Sequence, residues 1–106
     1  MDALEINVGG RIFTTSLNTL TKYRDSIFAK MVNGSHPFGK DKNNLLFIDR
    51  SPDLFTYVLQ YLRAEQLDVH KLMADQKAAL FKALLTEAKF FNLNAFIFYL
   101  ESMIRN

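Results

Sequence analysis

Leu4-Glu5-Ile6-Asn7-Val8-Gly9-Gly10-Arg11-Ile12-Phe13-Thr14-Thr15 opens the chain as two strands folded about a glycine pair. Leu4, Ile6 and Val8 alternate with Glu5 and Asn7, the period of a strand with one buried face. The second run is rich in β-branched and aromatic residues, which fit a pleated surface. Gly9 and Gly10 supply the positive φ of a tight primed turn. A β-hairpin over these residues follows.

Working outward, the period changes. Leu17, Leu20, Ile27, Phe28, Met31 and Val32 are spaced for one or two short helices broken near Tyr23–Asp25, with Asn18 and Asp25 as the expected N-caps. Residues 33–44 are crowded with turn formers and read as an exposed loop, long enough in so small a domain to carry function. Leu45-Leu46-Phe47-Ile48 is a continuous apolar run, which predicts a strand buried on both faces. Ser51-Pro52-Asp53 starts a helix: a capping hydroxyl, a preset first φ and a carboxylate at the positive end of the dipole. Phe55, Val58, Leu59 and Leu62 make its apolar stripe.

A further helix is expected from about Asp75 to Phe91, with Leu80, Leu84 and Ala88 on one face and Phe81 and Leu85 beside it. Asn92-Leu93-Asn94 breaks it, since Asn tolerates the left-handed cap. The last helix is built on Ile97, Leu100 and Ile104. Phe96, Phe98 and Tyr99 make it apolar nearly all round, so another element or a partner should cover it. Hairpin, helices, strand, helices is an α+β order, a small sheet with an N-terminal β-hairpin covered by helices.

The chain has 106 residues, which sets one domain over residues 1–106. At 49% apolar and 23% charged it belongs with globular rather than disordered chains. Without cysteine it has no disulfide framework, no cysteine-ligated metal and no cysteine nucleophile. A net charge of +2, with Lys40 and Lys42 split by Asp41, leaves no electrostatic footprint for nucleic acid. No apolar run nears the roughly 18 residues of a membrane span, and the amino end lacks the pattern of a signal peptide. A cytoplasmic setting without direct membrane insertion is the expectation. Ten Phe and four Tyr with no Trp point to a Phe-rich core or an aromatic interface.

Gly34 to Lys40 matches the phosphate-loop pattern G-x-x-x-x-G-K, but Asp41 stands where Ser or Thr would bind magnesium. No buried strand precedes it, a strand rather than a helix follows, and Pro37 removes an N–H donor. It reads as a turn-rich loop. Asn33-Gly34-Ser35 is formally a glycosylation acceptor, expected to be unmodified without a secretion signal. His36 and His70 lack the partners that metal ligation or catalysis needs, and no nucleophile–base or paired-carboxylate arrangement appears, so no enzyme and no cofactor are expected. Asp49 and Arg50 adjoin at a strand end, as an intramolecular pair worth little if exposed or as half of a contact across an interface. Phe38, between Pro37 and Gly39 in a hydrophilic loop, has no periodic partner and is a candidate to fill a partner's pocket.

Asn7-Val8-Gly9-Gly10-Arg11-Ile12-Phe13-Thr14-Thr15 with Leu20, then Phe47-Ile48-Asp49-Arg50, Phe55 and Leu59-Gln60-Tyr61-Leu62-Arg63, then Glu87-Ala88-Lys89-Phe90-Phe91-Asn92-Leu93, occur in that order. The set resembles the potassium-channel tetramerisation branch of the BTB/POZ family over nearly the whole chain. The resemblance implies a non-enzymatic cytosolic module that assembles into homo-oligomeric rings, tetramers or pentamers. It also implies either an adaptor for a cullin-type ubiquitin ligase or, as the alternative, a domain that assembles a potassium-channel-like membrane protein. A channel would need transmembrane spans after Asn106, and an adaptor a second recognition domain. The family-like polar set Asn7, Thr15, Asp49 and Arg50 is the expected oligomer interface. The cullin surface would fall on Met31 and Phe38 on one side and the region of Leu72 to Phe81 on the other. The chain departs from the family pattern in a longer Leu67–Glu87 segment without the expected proline. It also has Ala64-Glu65 where a small residue and Gly are usual, and it lacks the cysteine of the intersubunit zinc site of some channel members.

Overall fold

Alternation and turn chemistry together build the hairpin. In a computed structural model, which describes residues 3–105, β1 (Ala3–Val8) pairs antiparallel with β2 (Arg11–Ser16), Val8 opposite Arg11. Gly9 and Gly10 turn the chain at φ of 58° and 101°, the left-handed region that a side chain resists.

β4 (Leu46–Ile48) lies parallel to β1, and β3 (Gly39–Lys40) runs antiparallel to β4, giving the order β2-β1-β4-β3. The loop over residues 33–44 therefore contributes two residues to the sheet edge. β4 is not buried on both faces as its apolar run predicted. Ile48 is buried, whereas Leu46 and Phe47 are only half-buried. Its register explains this. Leu46 and Ile48 stand beside Ile6 and Val8 on the core face, and Phe47 stands beside Asn7 on the other.

Two short helices follow the hairpin, α1 (Leu17–Leu20) and α2 (Ile27–Val32). Their caps fall earlier than Asn18 and after Asp25. Ser16 Oγ accepts from Thr19 N at 3.0 Å and Ser26 Oγ from Ala29 N at 3.2 Å. A hydroxyl two or three residues ahead reaches the free N–H groups that open a helix, so the serines take the role. α3 (Pro52–Ala64) starts as expected, with Ser51 Oγ accepting from Leu54 N and Pro52 at the first turn. It ends at Glu65, held at φ 59°. That is the left-handed position where glycine is easiest, and a glutamate there carries strain. The Glu65 carboxylate accepts a 2.6 Å bond from the Tyr23 hydroxyl. Burial, and then this bond to a carboxylate, push the Tyr23 hydroxyl above its ordinary value.

α4 (Ala74–Phe90) and α5 (Asn94–Arg105) close the helical layer, separated by Asn92 at φ 56°. The core is Phe-rich. Phe28 of α2 stacks on Phe91 at 4.6 Å, and Phe55 of α3 meets both edge-on at 6.0 Å. Tyr61 stacks on Phe96 at 4.3 Å. The inward face of α5 is set by Phe96 and Leu100, with Ile97 half-buried. Ile104, expected in the same stripe, is 40% exposed, because only the first turns of α5 lie against the rest of the core.

Candidate functional site

The β1–β2 turn sits directly on the β4–α3 junction. Gly9 N donates to Ile48 O at 2.9 Å. A Cβ on Gly9 would stand 2.4 Å from Arg50 O and 2.9 Å from Pro52 Cδ, so only glycine fits this contact. The junction places Asp49, Arg50 and Asn7 in one neighbourhood.

Arg50 does not pair with Asp49. Its Nε and Nη2 donate to Glu87 of α4 at 3.1 and 2.6 Å, a two-pronged bond, and its guanidinium lies 4.1 Å from the centre of the Phe90 ring. The Glu87 side chain is 7% exposed and that of Arg50 26%. The bond to Glu87 holds the Arg50 guanidinium above its ordinary value, against the opposing effect of burial. Asp49 is exposed and, among the described residues, makes no ion pair. Glu87 was not singled out in the sequence. The signal was present, since Leu84, Glu87, Ala88 and Phe91 share one helical face, and a carboxylate on an apolar face requires a buried partner.

Asn7 is engaged at both ends of its amide. Its Nδ2 donates to Asp41 Oδ2 at 2.7 Å and its Oδ1 accepts from Gly10 N at 2.8 Å. Asp41 also accepts from the backbone N–H of Leu45 and Asn43. These donors, Asn7 first, hold its carboxyl below the ordinary range. Thr15, expected at an interface, points into the core instead. It is 7% exposed, on the face it shares with Phe13, and among the described residues its hydroxyl has no hydrogen-bond partner. Period-2 geometry forces this: with Phe13 packed on Phe55, Thr15 follows it inward.

The candidate cullin contacts also divide. Phe38 is 40% exposed in the loop that enters β3, as its isolation in the sequence indicated. Leu72 is half-buried. Met31 and Phe81 are 9% and 6% exposed, because each lies on the inward stripe of its helix. Elsewhere, Arg11 and Asp53 form a 2.7 Å ion pair in the open, and the His70 ring contacts Asp68 at the surface. Among the described residues no group of three or more His, Cys, Asp or Glu is placed to hold a metal, and no helix is long and apolar enough to cross a membrane.

Residues 4–100 match the BTB/POZ domain family. The chain is similar to the BTB/POZ domain-containing protein KCTD21 of Mus musculus and of Homo sapiens, 43% identical over 68 residues in each case. That stretch is 64% of this chain and 26% of the relative. It is also similar to SH3KBP1-binding protein 1 of Bos taurus, 34% identical over 96 residues, 91% of this chain and 13% of that protein. The matched stretch thus spans about a quarter or less of these relatives.

Proposed function

This chain belongs to the BTB/POZ domain family, and from that premise we propose that it is a homo-oligomerisation and protein-interaction module, not an enzyme. Copies close head to tail into a ring of four or five, and the ring serves as an adaptor for a cullin-type ubiquitin-ligase scaffold. A cytoplasmic setting goes with this reading. The name of one relative, SH3KBP1-binding protein 1, records a protein-interaction role for that relative and supports the same class here.

The one-sided sheet is the observation that carries the proposal. Helices cover the face with Ile6, Val8, Phe13 and Ile48, while Glu5, Asn7, Ile12, Thr14 and Phe47 lie on the other. Ile12 on that face is 45% exposed. Head-to-tail closure sets this face against a different surface of the next subunit, with Asn7 for register and the exposed Asp49 as a charge that reaches across. Arg50, held by Glu87, supports the boundary from its own side.

Native mass spectrometry and light scattering at tens of micromolar test the ring. A mass of four or five subunits is expected, with Asp49→Lys lowering it. A monomer throughout overturns it. Titration calorimetry with a cullin amino-terminal domain tests the adaptor arm. A buried aromatic anchor contributes about 2 kcal/mol or more, so Phe38→Ala should weaken binding about 30-fold or more. An absence of heat rejects the cullin and leaves the ring standing.

A further inference from the structure

Ala74, Ala78 and Phe81 of α4 and Met103 and Ile104 of α5 line a recess of about 430 Å³. This size is within the range of built binding pockets, about 300–1,000 Å³. Phe81, 6% exposed, belongs to the core and forms its floor. Met103 and Ile104, 37% and 40% exposed, stand open at its wall. Met73, just ahead of α4, is 69% exposed. The remaining two lining residues are Lys77 and Lys82. At 3.6 residues per turn they fall on opposite flanks of the strip made by Ala74, Ala78 and Phe81. Among the described residues no acidic side chain lines the recess. Met103 is shared with a second apolar recess, which carries the 69%-exposed Phe98, so apolar surface continues along α5.

We propose that this groove docks an amphipathic helix of a partner protein, its apolar side chains between α4 and α5 and its flanking carboxylates on Lys77 and Lys82. An apolar floor between two helices is the shape that receives a helix through residues spaced i, i+3, i+4 and i+7. Met103 gives the wall a side chain that repacks around different apolar anchors. The lysines choose the sign of the partner's rim, since a basic helix would bring like charges together. A lipid surface is the poorer match. Membrane attraction draws on clusters of about four to eight basic residues, and a flat bilayer does not fill a recess. Ala74, Ala78 and Phe81 fall in the stretch expected to meet a cullin, so the groove overlaps that candidate surface, while the test of the groove uses neither a ring nor a cullin.

Fluorescence anisotropy on the intact chain tests it, with two labelled synthetic helices of about four turns. Both carry leucines at the i, i+3, i+4 and i+7 positions, one flanked by glutamates and the other by lysines. The acidic helix should bind saturably and weaken as salt rises, and the basic helix should not bind. Lys77→Glu with Lys82→Glu should cost the acidic helix about tenfold or more, from two rim pairs of up to about 1 kcal/mol each, and should admit the basic one. Met103→Glu should remove binding of the acidic helix, with circular dichroism reporting the fold of each variant. Equal binding of the two helices, or binding that neither variant changes, overturns the proposal. A fall in oligomeric mass in the lysine variant overturns it in favour of a second copy. Lysine-dependent sedimentation with phosphatidylserine vesicles, without binding of either helix, overturns it in favour of a membrane.

Discussion

Arg50 and Asp53 flank the cap of α3 from either side, and each holds an ion pair to a distant element. Arg50 reaches α4 and meets Glu87, whose side chain is 7% exposed. Asp53 reaches the start of β2 and meets Arg11, where the two side chains are 84% and 49% exposed. One bond of each pair is equally short, 2.6 and 2.7 Å. Their media differ. The exposed pair exchanges water for a partner and is screened by salt. The buried carboxylate has no water to return to, so losing its partner leaves a desolvated charge. Distance alone therefore does not rank these contacts; burial does.

The sharpest way to break this comparison is Arg50→Ala. It leaves Glu87 buried and unpaired and should lower the unfolding free energy by about 3–5 kcal/mol in a urea titration. A loss below about 1 kcal/mol would mean that water reaches Glu87 and that the two pairs are alike. Such a loss would act within the subunit, so the mass of the assembly must be read only where the variant is folded.

Gly9→Ala strikes the platform beneath both pairs. The added methyl meets Arg50 O and forces an alanine to a φ of 58°. A cost of about 1–3 kcal/mol from backbone strain, increased by the clash, is expected in thermal unfolding. A stability equal to wild type would show that the turn can lift off the junction.

Asp53→Ala should change stability by only about 0–1 kcal/mol, and less still in high salt. A loss comparable to that of Arg50→Ala would remove the contrast from the other side.

The mildest test uses a carboxylate held by hydrogen bonds rather than by a cation. Asn7 and the Leu45 N–H favour the ionised form of Asp41 in the folded chain. The unfolded chain therefore binds its proton more readily, and stability rises with pH through this window. The contribution is complete above the ordinary value of 3.8 and is lost as pH falls through the lower folded value. Asp41→Asn should flatten that part of an acid titration monitored by circular dichroism, and an unchanged acid limb would place Asp41 outside the folding equilibrium.

How far the chain could be read from its residues follows the range of each interaction. The hairpin, the Ser51-Pro52 start of α3 and the left-handed Asn92 were legible, because turn and cap chemistry acts over a few neighbouring positions. The stripe of Phe55, Val58, Leu59 and Leu62 was legible for the same reason, and all four are buried. Thr15 lay within reach of the strand period, yet resemblance drew it to an interface and the period sent it inward. The loop tip Phe38 stood out because nothing in its surroundings could carry it into the core.

Local patterning thus determined where strands and helices begin, which stripe of α3 is apolar and which family of folds receives them. The tertiary structure alone decided that β4 lies parallel to β1 with one face open, that Arg50 turns away from Asp49 to Glu87, and that α4 and α5 leave a lysine-flanked groove. Each of these is a contact between residues far apart in the chain. Arg50 and Glu87 are separated by 37 positions, and no local period encodes which distant charge will be desolvated beside which. Packing settles that choice, because only the folded layers determine which side chains lose their water together.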